Sequence, residues 1–307
     1  MLFETISSAL GPIIVGGGVG LLAGYTGFIK REYSQAFADF VVKIALPIAL
    51  FVAAANSNPK TILDFDYALA MGMGLILAFI AAYVVGKLFF KHDRANASMQ
   101  ALCASFPDMA YCGPPILLAT VGASGLIAMV IGNLIYTIII LPIALMLMGG
   151  TQKGQGVLTN LWHSVRQPLV CLPILGAILS VSGIKLPGLA TISLDELGKT
   201  AGGVALFFLG LYLSGIKPSF KAEVLLNVFI KNIVQGAIIL GAGFALGLQG
   251  DLLKSAFIIG LLPTATATPA LAVSQKIYEE DAASTVMIST VLSLVTMALG
   301  IAIVEML

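Results

Sequence analysis

Ser105-Phe-Pro-Asp-Met-Ala-Tyr-Cys-Gly-Pro-Pro115 interrupts an apolar segment and cannot continue as one helix. Proline lacks a backbone donor, and its ring clashes with the preceding turn. Leu262-Pro-Thr-Ala-Thr-Ala-Thr-Pro269 has the same character about half a chain later. Inside a bilayer the freed backbone groups need partners, so a break survives only where protein or a wet cavity covers it. Paired breaks in two halves of a chain point to the binding site of a secondary transporter.

The surrounding composition is that of a membrane protein. Apolar residues are 59% of the 307 and charged residues only 10%, too few to cover a soluble globule of this size. With a net charge of +1 and no basic face or disordered tail, nothing in the chain suits nucleic acid. The lipid bilayer is the expected partner. Met1-Leu-Phe-Glu-Thr-Ile6 lacks a basic n-region, so the first apolar run is expected to stay as a helix. Cys103, Cys112 and Cys171 read as small buried hydrophobes.

Counting stretches of about 20 apolar residues predicts spans near 8–29, 36–55, 67–90, 97–120, 124–148, 166–183, 191–213, 222–248, 252–275 and 283–304. That is an all-α integral membrane protein of ten transmembrane helices. Residues 1–150 form a first five-helix repeat, 151–165 a cytoplasmic linker, and 166–307 a second repeat. Lys30, Arg31, Lys87, Lys91, Arg94, Lys153, Arg166, Lys217, Lys221 and Lys276 gather on one side, which the positive-inside rule makes cytoplasmic. Both termini are then non-cytoplasmic, and an odd number of spans per half inverts the second repeat. Pro107 with Pro263, and Pro115 with Pro269, fit a weak internal repeat.

At each break one half-helix ends in free carbonyls, which attract a cation, and another begins with free amides, which attract an anion. Gly113, Pro114 and Pro115 suit the start of such a half-helix. Thr264, Thr266 and Thr268, between Pro263 and Pro269, offer hydroxyls to a carboxylate. Asp108, beside Pro107 and Tyr111, is an intramembrane carboxylate that would carry a proton, hold Na⁺ or cap the second half-helix. Lys231, among Asn227, Asn232 and Gln235, would neutralise an anionic substrate or snorkel to the interface. Asn133 would face the cavity or bond a neighbouring helix. Lys43, four residues after Asp39, would pair with it on the helix surface or snorkel to the interface. Gly20-x-x-x-Gly24 suits helix packing within the chain or the seam of a homodimer.

Gly24-Tyr-Thr-Gly-Phe-Ile-Lys-Arg31, then Phe37 through Phe51 with its Leu46-Pro47, then Gly113-Pro-Pro115 with Gly122, then Leu262-Pro263, Ala272, Tyr278 and Ala283-Ser284 occur in a familiar order. Over its whole length the chain resembles the auxin efflux carrier family, and within it the bacterial malonate-transporter-like branch. The resemblance implies two inverted five-helix repeats with broken, crossing spans four and nine, as in bile-acid and sodium–proton carriers. It also implies transport of small carboxylates. Where many relatives have asparagine-rich sequence, this chain has Phe106-Pro-Asp-Met-Ala-Tyr111, so Asp108 does not inherit an asparagine's role.

The expected function is alternating-access transport of malonate- or malate-like carboxylates, coupled to H⁺. The alternative is a sodium-coupled organic-anion symporter of bile-acid type. No cofactor is expected, and no metal beyond Na⁺ near Asp108. A channel is a weaker reading within the same class. A membrane enzyme is a reading of another class, and it would need a clustered nucleophile and base. His92 and His163 lie in separate loops and do not supply them.

Overall fold

The computed structural model describes residues 2–56, 64–148, 166 and 168–306. Every named element among them is helical: α1 Leu2–Thr26, α3 Phe65–Leu88, α4 Arg94–Ser105, α5 Gly113–Thr120, α7 Pro168–Val181, α8 Gly188–Leu213, α10 Gly250–Leu261 and α11 Ala267–Gln275. The remaining helices are α2 Arg31–Ala55, α6 Ala123–Leu147, α9 Ala222–Ala245 and α12 Glu279–Val304. The predicted 151–165 linker, with Lys153 and His163, lies outside the described residues.

Among the described residues, five helices are long and apolar enough to cross a membrane: α2, α3, α6, α9 and α12. This corrects the reading of ten spans in two inverted five-helix repeats of the bile-acid or sodium–proton carrier type. The apolar stretches Leu10–Thr26 and Cys171–Val181 are shorter. Helix α8 has the length but carries Asp195, Glu196 and Lys199. The predicted spans 97–120 and 252–275 are each divided. Helices α4 and α10 have 12 residues each, roughly 18 Å at 1.5 Å per residue, against a core of about 30 Å. Hydropathy counts apolar residues whether or not one helix carries them.

The chain forms two compact units. The first comprises Met1–Phe65, Met109–Ile131 and Val165–Gly215; the second comprises Asp66–Asp108, Gly132–Ser164 and Ile216–Leu307. Each draws on both halves of the sequence.

In the first unit, α1 packs on α8 through glycine. A Cβ on Gly20 would strike the Phe207 carbonyl, and one on Gly24 would strike the Ser214 side chain. The Gly20-x-x-x-Gly24 face is thus used inside the chain. Helix α2 meets α7 and α8 in the same way, with Gly176 against the Phe51 carbonyl and Gly198 against Ala49.

Ile44-Ala-Leu-Pro-Ile-Ala-Leu50 in α2 and Ile139-Ile-Leu-Pro-Ile-Ala-Leu145 in α6 are nearly the same heptapeptide. Each follows or overlaps a π turn, Val41–Ala45 and Tyr136–Ile140. The proline has no amide for the carbonyl four residues back, and the helix widens by one residue ahead of it. A third π turn, Ile230–Val234 in α9, contains no proline.

Helix α4 of the second unit is capped by Asp93, whose carboxylate accepts from the Asn96 backbone at 2.8 Å. That bond, with a second from the Asn96 side chain, holds the Asp93 carboxyl below its ordinary 3.8. A folded value below the unfolded one stabilises above the unfolded pKa and is lost as pH falls through the folded value. Asp93→Ala is expected to cost about 1 kcal/mol at neutral pH. In thermal melts at descending pH, the gap between wild type and variant should close only below 3.8.

Candidate functional site

The two breaks meet inside the second unit. Phe106 and Leu262, each before a proline, are extended, with ψ of 104° and 148°. Pro107 and Thr264 then form an antiparallel bridge. The Asp108 amide donates to Pro263 O, and the Ala265 amide donates to Phe106 O, both at 2.8 Å. A two-stranded crossing thereby joins the ends of α4 and α10. The Phe106 ring lies on Tyr136 with centroids 3.8 Å apart.

Side chains from α9 and α12 close around the crossing. The Thr264 hydroxyl donates to Cys103 O at 2.8 Å, and Gln235 Nε2 donates to Ser105 O at 2.8 Å. Lys231 Nζ donates to Gly260 O at 3.1 Å. Ser289 Oγ accepts from the Thr264 amide at 2.9 Å and donates to Asn232 Oδ1 at 2.6 Å. Asn232 Nδ2 returns to Ser289 O at 2.9 Å. Asn227, Lys231, Asn232 and Gln235 are all fully buried. The π turn makes this possible, since its extra residue lets Lys231 and Asn232, adjacent in sequence, both face inward. Lys231 does not snorkel.

Asp108, whose amide joins the crossing, is 1% exposed. Thr264, Thr266 and Thr268 are buried with it in the second unit, as is Pro269. The Thr268 hydroxyl donates to Ala265 O at 2.8 Å, so the protons of Thr264 and Thr268 both go to backbone carbonyls. Asn133 is half-buried in the same unit.

Tyr111, Gly113, Pro114 and Pro115 belong to the first unit. There Tyr111 tilts against Phe208 at 4.6 Å, and Pro115 lies near Gly202 of α8. The same unit has a cavity of about 600 Å³ lined by Ala49, Val52, Asn56, Ser124, Asp195 and Lys199. Lys199 is ion-paired there with Asp195 and Glu196 at 2.9 Å.

At the end of the second unit where α9 and α12 begin, His92 Nε2 and Glu223 lie 2.8 Å apart, and Lys221 pairs with Asp281 at 2.8 Å. The hydrogen bond from Lys221 to Asp281 holds the lysine above its usual value. Burial raises the Tyr278 phenol, which accepts from Asn227 Nδ2 at 3.1 Å. Among the described residues, no three or more His, Cys, Asp or Glu side chains gather as around a metal ion.

Ser289 is the residue that sequence reasoning missed. Its signal is a stripe of Ser284, Thr285, Ser289, Thr290 and Ser293, all buried on α12. In an apolar helix such spacing marks one protein-facing side.

A family model described as membrane transport protein matches residues 5–301. The chain belongs to that family, the auxin efflux carriers. It is a multi-pass membrane transporter. The uncharacterized transporter YfdV of Escherichia coli (strain K12) is 30% identical over 298 residues, covering 94% of this chain and 95% of the relative. A putative malonate transporter of Rhizobium meliloti (strain 1021) is 21% identical over 265 residues, covering 84% of this chain and 82% of the relative. The uncharacterized transporter MJ1031 of Methanocaldococcus jannaschii is 24% identical over 290 residues, covering 92% and 93%.

Proposed function

We propose that this auxin efflux carrier family member transports small carboxylates of the malonate or malate type by alternating access, coupled to protons. The observation carrying this reading is the buried crossing, with Asp108 on it and Lys231 bonded to the α10 end that enters it. A carboxylate substrate cannot approach a buried aspartate unless one negative charge is offset. Protonating Asp108 removes the repulsion and frees the Lys231 charge to face the substrate. Amides at the start of α11, with Thr266, supply the complementary donors. The relative named a putative malonate transporter supports malonate as the first substrate to try.

The test is uptake of labelled malonate into liposomes holding the purified protein, with proton and sodium gradients imposed separately. Saturable uptake driven by the proton gradient is expected, and Asp108→Asn should lower that driven component at least tenfold, roughly 1.4 kcal/mol. Equal uptake by the variant would remove Asp108 from coupling. No saturable uptake under either gradient, in folded protein, would reject malonate.

A further inference from the structure

The first unit holds a cavity of about 600 Å³ that the carrier reading leaves unused, since the crossing lies in the second unit. Its size suits a small-molecule site, for which roughly 300–1,000 Å³ is usual. Small residues leave the space open: Ala49 and Ala53 of α2, Ala123 of α6 and Gly198 of α8 all line it.

Helix α2 fixes the depth of this cavity in the membrane. The helix has 25 residues, roughly 37 Å at 1.5 Å per residue, so both ends reach past a hydrocarbon core of about 30 Å. At its first residue, Arg31 Nε donates to Ser214 Oγ at 3.2 Å. The cavity lies at the opposite end, where Asn56 follows the helix. Ala49 is seven residues deeper than Asn56, roughly 10 Å. Val52, Ala53 and, from α6, Ile127 keep that depth apolar. The charged lining is Asp195 and Lys199 of α8, and the Lys199 ammonium meets Asp195 and Glu196 at 2.9 Å. All three side chains stay accessible, between 47% and 70% exposed.

We propose that this cavity binds a membrane phospholipid with a primary ammonium in its head, of the phosphatidylethanolamine type, its acyl chain in the apolar depth and its head on the α8 charges. A site at headgroup depth with an apolar interior fits a molecule that has both parts. Charge chooses the head. Asp195 and Glu196 against Lys199 leave the rim with a net single negative charge, which repels a dianion such as malonate and disfavours an anionic glycerol-phosphate head. An ethanolamine-phosphate head is matched at both poles. Its ammonium donates to the Asp195 or Glu196 carboxylate, and its phosphate accepts from Lys199. A choline head carries the same charges but has no N–H to donate. The proposal is independent of the carrier reading.

The test uses delipidated protein in a neutral detergent, with melting temperatures read as each lipid is added back. Phosphatidylethanolamine should raise the melting temperature saturably by several degrees, phosphatidylcholine less and phosphatidylglycerol least. Ala53→Phe fills the cavity without touching its charges and should remove the rise. Glu196→Lys, at a side chain 70% exposed, should reverse the order of the lipids. Phosphatidylglycerol should then gain up to about fivefold in affinity, the worth of an exposed ion pair. Equal rises from all three lipids in wild type would overturn the proposal, since lipid that only coats the chain gives that result. A rise that persists in Ala53→Phe would overturn it by placing the lipid elsewhere. Should that variant not fold, Glu196→Lys decides, and an unchanged order of lipids there overturns the proposal. Phosphoethanolamine without acyl chains should have no effect. A rise as large as the lipid's would make the ligand a soluble zwitterion and overturn the lipid assignment.

Discussion

Asn232→Ala should lower stability by about 3 kcal/mol, the upper part of the range for leaving a buried polar group unmet. Asn232 holds Ser289 at two points, accepting from its hydroxyl at 2.6 Å and donating to its carbonyl at 2.9 Å. The same hydroxyl oxygen receives the Thr264 amide at the crossing, so freeing it loosens the break as well as α9. Ser289→Ala strands the Thr264 amide from the other side and should cost a similar amount. Because both changes remove one shared network, the double variant should lose much less than the sum. Denaturant unfolding of the two single variants and the double variant in micelles measures this. Additivity within about 0.5 kcal/mol would mean that the network is not a unit.

Gly210→Val should have an effect at least as large, in the first unit. A Cβ at Gly210 would fall on the Gly17 carbonyl and within 2.7 Å of the Leu21 amide nitrogen. Backbone atoms cannot rotate away, so α1 and α8 would have to separate along their contact. Overpacking costs up to about 3 kcal/mol even where side chains can yield, so the loss should reach or exceed that. Gly18 is the control, since a Cβ there meets nothing within 4 Å. Gly18→Val should stay close to wild type in the same thermal melts. Equal losses at the two positions would show that valine's helix propensity, not the close approach, is responsible.

The two breaks were legible in the sequence because proline's effect is local. Pro107 and Pro263 make Phe106 and Leu262 extended wherever they lie in the fold. The Asp39–Lys43 pair, 2.8 Å apart, was legible for the same reason, since i,i+4 neighbours meet on any helix. Membrane character followed from composition, and family membership from the order of short motifs along the chain. The number of continuous spans was not legible. An apolar window is the same whether one helix or two carry it, and α4 with α5, and α10 with α11, divide theirs.

The candidate site divides along the same line. The sequence determined that two helices break, that Asp108 stands at one break and that three threonines stand at the other. Only the tertiary structure decided which donors meet the freed carbonyls. Gln235 reaches Ser105 across 130 positions, Thr264 reaches Cys103 across 161, and Lys231 reaches Gly260 across 29. It also turned Lys231 inward through a π turn that no proline announces, and it sent the Thr264 and Thr268 protons to backbone oxygens rather than outward. A proline constrains its own and its neighbour's backbone through fixed covalent geometry. A hydrogen bond between helices depends instead on their rotation and register, which packing sets.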